Sequence, residues 1–292
     1  MIPRPRCVVV GGAGAVGTLF AELLAGSGWE VSAVDKQSRP IPCADSVSGD
    51  ILDPQRPLRA LLAAADVVVL AVPEPVACSA LSPLARSMRP GALIVDTLSV
   101  KGPFAAEVAR APIEQQVLGV NPMFAPSLGF PGRPVAVVEL RGGDRATAFT
   151  ELLTSWGGRV VRVSADRHDR LAAASQALTH AAVLAFGAAL AALDVGIEEL
   201  TAIAPPPHRT LLALLARITT GTPEVYWDVQ AANSLAPQAR QALAAAARDL
   251  ADLVDAGSPE DFTALLEGLR GYLGSTVSLH SAACARSFDA IR

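Results

Sequence analysis

The stretch Gly11-Gly12-Ala13-Gly14-Ala15-Val16-Gly17 lies between the apolar run Cys7-Val8-Val9-Val10 and the helix-like Thr18-Leu19-Phe20-Ala21-Glu22-Leu23-Leu24. It reads as strand, glycine turn, helix. A dinucleotide pyrophosphate needs a backbone bare of side chains and a helix N-terminus whose unpaired N–H groups and dipole face its charge. Gly12 suits the tight turn, Gly14 the approach of the phosphates, and Gly17 the close packing of helix on strand. Ala15 and Val16 complete the turn. The next strand, Glu30-Val31-Ser32-Ala33-Val34, ends in Asp35, 18 residues after Gly17. A carboxylate there can accept hydrogen bonds from both ribose hydroxyls and would repel a 2′-phosphate, so the pattern predicts NAD rather than NADP. Lys36, beside it, is the one feature that pulls the other way.

At 292 residues the chain is long enough for two domains and a large core. A net charge of −4 without basic runs argues against a nucleic-acid partner, and an anionic substrate would have to be held by local arginines. The four cysteines, Cys7, Cys43, Cys78 and Cys284, have no metal-ligand spacing and read as reduced thiols. That suggests a cytoplasmic protein without a metal. The start of the chain reads as part of the fold, not as a cleavable signal. Leu171 to Leu193 carries no Asp, Glu, Lys or Arg and is long enough to cross a bilayer. It is alanine-rich, however, holds Ser175, Gln176, Thr179 and His180, and stands alone. It therefore reads as a buried helix, and no membrane partner is expected.

Beyond Asp35 a polar connection runs to about residue 53, followed by a helix near Leu58 to Ala65. Strands are expected at Asp66–Pro73, Ala92–Asp96, Val117–Val120, Pro134–Leu140 and Arg159–Val163, with helices at Val76–Ser87, Phe104–Ala109 and Ala146–Trp156. The fold class is therefore α/β: a Rossmann domain with a doubly wound, mostly parallel sheet, in residues 1–164. From residue 165 to 292 helical periodicity takes over, with helices at Asp166–Leu193, Pro207–Thr220, Glu224–Asn233, Pro237–Ala256 and Pro259 onward. Pro205-Pro206-Pro207 breaks one helix and starts another. Alanine-rich helices this apolar hide their faces against a partner, so this second, all-α domain is expected to form a homodimer.

Parallel sheets bind ligands beyond the C-terminal ends of their strands, here Gly12, Asp35, Val72 with Pro73, Ser99 and Asn121. Ser99 and Asn121 fall where a nicotinamide would lie, although a helix cap and a turn would use the same residue types. On the helical part, Gln176 and His180 are four apart and share a face, and Arg209 and Arg217 flank the apolar run Leu211–Leu215. In a segment expected to be buried, the Arg217 guanidinium needs an anion, and a carboxylate substrate is one. His168 and Asp169 read as caps opening the long helix.

Six motifs in one order carry a resemblance to the prephenate and arogenate dehydrogenase family of tyrosine biosynthesis. They are Gly12-Ala13-Gly14-Ala15-Val16-Gly17, Val95 to Lys101, Leu118 to Phe124, Arg167-His168-Asp169, Gln176 to His180, and the Arg209–Arg217 helix. The resemblance covers nearly the whole chain. It implies a Rossmann domain followed by a helical dimerisation domain, with Arg217 holding the ring carboxylate and His180, Gln176 and Arg209 lining or supporting that pocket. It also implies that Ser99 contacts the catalytic histidine and the 4-position of the substrate. No fused chorismate mutase domain and no regulatory domain is expected.

One departure matters most. Where the family motif reads His-Pro, this chain reads Asn121-Pro122. The family histidine takes the proton of the 4-hydroxyl as hydride leaves C4. An amide cannot, and losing a general base costs ~10²–10⁴ in rate. A 4-amino substrate removes the need, because its nitrogen lone pair expels hydride directly. The favoured reading is thus NAD-dependent oxidative decarboxylation of 4-amino-4-deoxyprephenate to 4-aminophenylpyruvate, a precursor in specialised metabolism, with Ser99 and Asn121 positioning the 4-substituent. The alternatives are a prephenate or arogenate dehydrogenase using His180 or a water ordered by Ser99 as base, and a catalytically silent dinucleotide-binding protein.

Overall fold

A computed structural model describes residues 4–37 and 39–290. It divides into two compact units, Met1–Leu171 and Ala172–Arg292. The first runs β1 (Arg6–Val10), α1 (Ala15–Gly26), β2 (Glu30–Asp35), β3 (Asp45–Ser48), α2 (Arg56–Ala64), β4 (Val67–Leu70), α3 (Glu74–Ser87), β5 (Leu93–Asp96), α4 (Gly102–Arg110), β6 (Gln116–Pro122), β7 (Pro134–Arg141), α5 (Asp144–Ser155) and β8 (Arg159–Arg162), and leads into α6 (Ala165–Ala172).

The eight strands form one sheet in the order β3-β2-β1-β4-β5-β6-β7-β8. Every pairing is parallel except that of β6 with β7. Side chains alternate between two cores. Val8, Val10, Val68, Leu70 and Ile94 pack on one face with residues of α2, α3 and α4, while Val9, Val69, Val95, Leu118 and Val120 pack on the other with Phe20 and Leu24 of α1 and Phe149 of α5. Burial on both faces is why these strands read as unbroken apolar runs. Each such side chain contributes about 1.5–3 kcal/mol on leaving water.

Two features depart from the sequence expectation. The connection after Asp35 contains β3, whose Asp45, Ser46, Val47 and Ser48 are half-buried or exposed at the sheet edge and so carry no apolar signature. β7 runs antiparallel because residues 123–133 form only a short turn, and a parallel crossover needs a dozen residues or more.

The second unit opens with a π-helical turn, Ala173–Ala177, followed by α7 (Leu178–Ala192), α8 (Ile197–Ile203), α9 (Pro206–Thr219), α10 (Pro223–Ala231), α11 (Ala236–Asp255), α12 (Pro259–Leu273) and α13 (Val277–Ala290). Pro205 caps α9, in keeping with the proline run. The short α8 has no counterpart among the helices expected from periodicity. Among the described residues the cluster of buried residues here is Ala177, Val229 and Ala236, while Ile203, Trp227, Leu269, Tyr272 and Leu279 are exposed. The reading of Leu171–Leu193 as a buried helix is corrected accordingly. Within Ala165–Ala192, a helix long and apolar enough to span a membrane by length and composition, 22% of the apolar window is buried, and in α7 the buried residue is Val183. The helices of this unit carry more apolar surface than they cover for one another.

Candidate active site

The glycine turn is built by close approach. Gly11, not Gly12, takes the left-handed conformation (φ +79°), and a Cβ there would lie 2.1 Å from the Ala71 carbonyl oxygen. A Cβ on Gly12 would strike Ala33 of β2 at 2.7 Å, and one on Gly17 would lie 2.1 Å from the Gly11 oxygen. Gly12 and Gly17 therefore serve packing, and the tight turn belongs to Gly11. Gly14 is different. It is exposed, and a Cβ on it would meet nothing closer than the Gly11 oxygen at 3.3 Å, so what its bareness leaves open is the side facing solvent. It is the N-cap of α1, and the first intrahelical bond comes from Thr18 N to Gly14 O at 2.8 Å. The N–H groups of Ala15, Val16 and Gly17 precede that bond, at the positive end of a helix with no acidic residue in its first turn. These residues fit a pyrophosphate.

Val72 lies under the turn, its Cγ1 3.0 Å from where a Gly11 Cβ would be, and Pro73 is the N-cap of α3. Asp35, at the end of β2, accepts a hydrogen bond from Ala13 N at 3.3 Å and from Lys36 N at 2.8 Å. Its carboxylate thus faces the glycine turn, where a ribose would sit. Lys36 pairs with Asp50 at 3.1 Å, so its ammonium already has an anion.

Ser99 follows β5, and Asn121 lies at the C-terminal end of the adjacent β6; the register of the two strands pairs Asp96 with Gly119. Ser99 is half-buried and Asn121 is 3% exposed. Beneath them lies a fully buried ion pair. Lys101 Nζ donates to Asp96 Oδ1 and, at 3.2 Å, to the Val120 carbonyl. Burial pushes the Asp96 carboxyl up and the Lys101 ammonium down, each against the attraction of the other. A Cβ on Gly119 would meet Asp96 Oδ2 at 3.0 Å and Lys101 Cδ at 3.1 Å, so glycine is what lets β6 pass over the pair.

Asn121 Nδ2 is 3.0 Å from His168 Nε2, and His168 Nδ1 is 2.8 Å from Asp169 Oδ1. Asp169 also accepts from the backbone N–H of Lys101 at 2.8 Å and of Gly102 at 2.7 Å. Burial alone would raise the Asp169 carboxyl, but the bonds from His168, Lys101 and Gly102 outweigh it and hold the group below the usual carboxylate range. With Asp169 ionised, His168 Nδ1 carries a proton, and because the Asn121 Nδ2 facing Nε2 is a donor, Nε2 is the acceptor. The reading of His168 and Asp169 as caps of their own helix is corrected: Ser164 Oγ takes that place by accepting from Arg167 N, while Asp169 caps α4. The sequence signal for this arrangement is a charged residue ending an apolar strand, Val95-Asp96, with Lys101 five residues on.

In the helical unit, Gln176 lies in the π turn and is half-buried, as is His180. The His180 ring packs edge-on to Tyr226 with centroids 5.1 Å apart, and its Nδ1 is buried without a hydrogen-bond partner among the described residues. Burial and the nearby Arg217 charge lower its pKa. Arg209 Nε donates to the Ala204 carbonyl at 3.1 Å. The expectation of a buried Arg217 is corrected: it is exposed, as are Leu211 and Leu214 before it, because among the described residues the helices packed on α9 leave these side chains uncovered. Among the described residues it has no ion-pair partner. A mostly apolar groove of about 860 Å³ opens nearby, lined by residues including Ala181, Leu184, Tyr226, Trp227 and Gln230.

Comparisons with known proteins match both units of the chain. Residues 20–138 match the prephenate dehydrogenase nucleotide-binding domain and residues 164–268 the prephenate dehydrogenase dimerization domain. The chain is 53% identical over 289 residues to a 4-amino-4-deoxyprephenate dehydrogenase of Streptomyces pristinaespiralis, covering 98% of this chain and 97% of that one. It is 32% identical to the T-protein of Enterobacter agglomerans over 76% of its own length, and spans about half of that longer protein, 55%. Its fold matches prephenate dehydrogenase from A. aeolicus in complex with hydroxyphenyl propionate and NAD+ (TM-score 0.69, 17% identity, 92% and 97% coverage). It likewise matches Synechocystis arogenate dehydrogenase (TM-score 0.67, 18% identity, 93% and 100% coverage).

Proposed function

The chain belongs to the prephenate dehydrogenase family, and from that premise we propose that it catalyses the NAD-dependent oxidative decarboxylation of 4-amino-4-deoxyprephenate to 4-aminophenylpyruvate. The observation that carries the choice of substrate is Asn121: a buried amide at the end of β6, with an imidazole beside it, His168, committed at both nitrogens. His168 is 2% exposed and has no lone pair left to take a proton from a substrate. A 4-hydroxyl would lose its proton to neither group. A neutral 4-amine needs no such acceptor.

The balance of the reaction follows. Bound NAD+ would supply the hydride acceptor, and on the substrate the nitrogen lone pair would become the second bond of a C4 iminium as hydride leaves C4. The electrons of the bond from C1 to the ring carboxylate then flow through the ring to nitrogen, releasing carbon dioxide and the aromatic amine. No proton enters or leaves. Gly14 and the N–H groups of Ala15, Val16 and Gly17 would hold the pyrophosphate, and Asp35 the ribose, with Val72 and Pro73 at the floor of the cofactor site. Pairing of Lys36 with Asp50 supports NAD over NADP. Arg217, exposed and without an ion-pair partner among the described residues, suits the ring carboxylate, with Gln176, His180 and Arg209 supporting that end. Ser99 and Asn121 would orient the amine.

The apolar surface of the second unit, together with the dimerization-domain match, supports a homodimer. A soluble cytoplasmic enzyme is the fitting setting. The unpartnered Nδ1 of His180 favours one competing reading, that His180 is the base for a 4-hydroxy substrate. Initial rates of NADH formation by the purified protein with each substrate decide between them. A kcat/KM for the amino compound at least about tenfold above that for prephenate is expected. Equal or better turnover of prephenate would overturn the substrate assignment.

A further inference from the structure

The Asp169–His168–Asn121 chain of hydrogen bonds does more than fill space. An asparagine amide can present either its oxygen or its NH₂ to a ligand, and the two faces do opposite things to an amine. An NH₂ facing the substrate would donate into the nitrogen lone pair, the pair that must expel hydride. An oxygen would accept an N–H and leave that pair free. It would also fix rotation about the C4–N bond, so that the lone pair can align with the breaking C4–H bond.

His168 decides which face is offered. Asp169, ionised and held by the N–H groups of Lys101 and Gly102, takes the proton-bearing Nδ1, so Nε2 is an acceptor. Only the NH₂ end of Asn121 can satisfy it, at 3.0 Å, and Oδ1 is turned the other way. The α4 N-terminus thereby sets the carboxylate, the carboxylate sets the imidazole tautomer, and the tautomer sets the amide. Resting on the 4-amino reading, the geometry points to His168 as a positioning residue that locks Asn121 with its carbonyl oxygen toward the reacting amine, so that the enzyme accepts an N–H and leaves the lone pair unengaged.

Two substitutions separate this role from a merely structural one, because each keeps one half of the imidazole. His168→Asn retains a donor near the Nδ1 position for Asp169 but does not reach Asn121. His168→Gln places an amide oxygen near the Nε2 position, where it can accept from Asn121, and gives up the Asp169 bond. Wild type, assayed first with NAD+ and 4-amino-4-deoxyprephenate, must turn over. If it does not, the substrate reading fails before this one is reached. With wild type active, His168→Asn is expected to lose about ten- to hundredfold in kcat, the scale of a misaligned reacting group, with substrate KM and NAD+ affinity unchanged. His168→Gln is expected to stay within about threefold of wild type. The reverse order, equal loss in both, or no loss in either overturns the inference. Loss of NAD+ binding in both variants does so too, since it would mark His168 as a structural residue.

Discussion

The two units of this chain solve the problem of burying apolar surface in opposite ways. In the first, two cores on the faces of one sheet take up nearly every apolar strand residue, and even the buried Lys101 is paired. In the second, three of the described residues form the buried cluster, while Ile203 is 83% and Trp227 70% exposed. The first unit is a finished fold within one chain. The helices of the second leave apolar faces uncovered, as the proposed homodimer requires, and Arg217, proposed to hold the ring carboxylate, stands among them. The cofactor site, built of backbone and close packing, belongs to the self-sufficient part. The side chains proposed to bind the ring carboxylate belong to the part whose apolar faces stay uncovered.

The sharpest way to break the first unit is to orphan the charge at its centre. Lys101→Met leaves Asp96 buried without its cation and should cost about 3–5 kcal/mol of stability, read from urea unfolding. A loss below about 1 kcal/mol would mean that the pair is not holding β5 to β6. In the second unit the equivalent test is on association. Trp227→Ala should weaken the dimer by about 2–4 kcal/mol by analytical ultracentrifugation while helix content persists. An unchanged dimer would place the interface on another face. The smallest effect belongs to the cofactor rim. Asp35→Ala removes the carboxylate proposed to face the ribose, and should relax preference for NAD+ over NADP+ by about tenfold or less in kcat/KM. Equal use of both cofactors by the unaltered protein would contradict the role given to Asp35.

The first unit is legible in the sequence because its signals are local. Burial on both faces is visible in unbroken apolar runs such as Val67–Leu70, and the glycines at 12, 14 and 17 stand at fixed offsets around the start of a helix. What stays hidden depends on contacts distant in sequence. That Gly11 bears the left-handed turn follows from the carbonyl of Ala71, far along the chain, and β3 is recruited by β2 without an apolar run of its own. His168 and Asp169 look like caps at the start of any helix until Asn121, 47 residues earlier, is brought beside them. In the second unit, composition reveals helices but cannot say that their apolar faces remain uncovered by the chain itself, since hydrophobicity does not tell which surface covers which. Asn121 stands out in the sequence for the reverse reason: an amide where the family motif has a base would change the chemistry, whatever the surrounding fold.

That substitution is the centre of the account, and Asn121→His tests it most directly. Measured with saturating NAD+, the ratio of kcat/KM for prephenate to that for 4-amino-4-deoxyprephenate should rise by about 10²-fold or more in the variant, the scale of restoring a general base. A ratio that stays where the unaltered protein has it would show that the side chain at 121 does not choose the substrate.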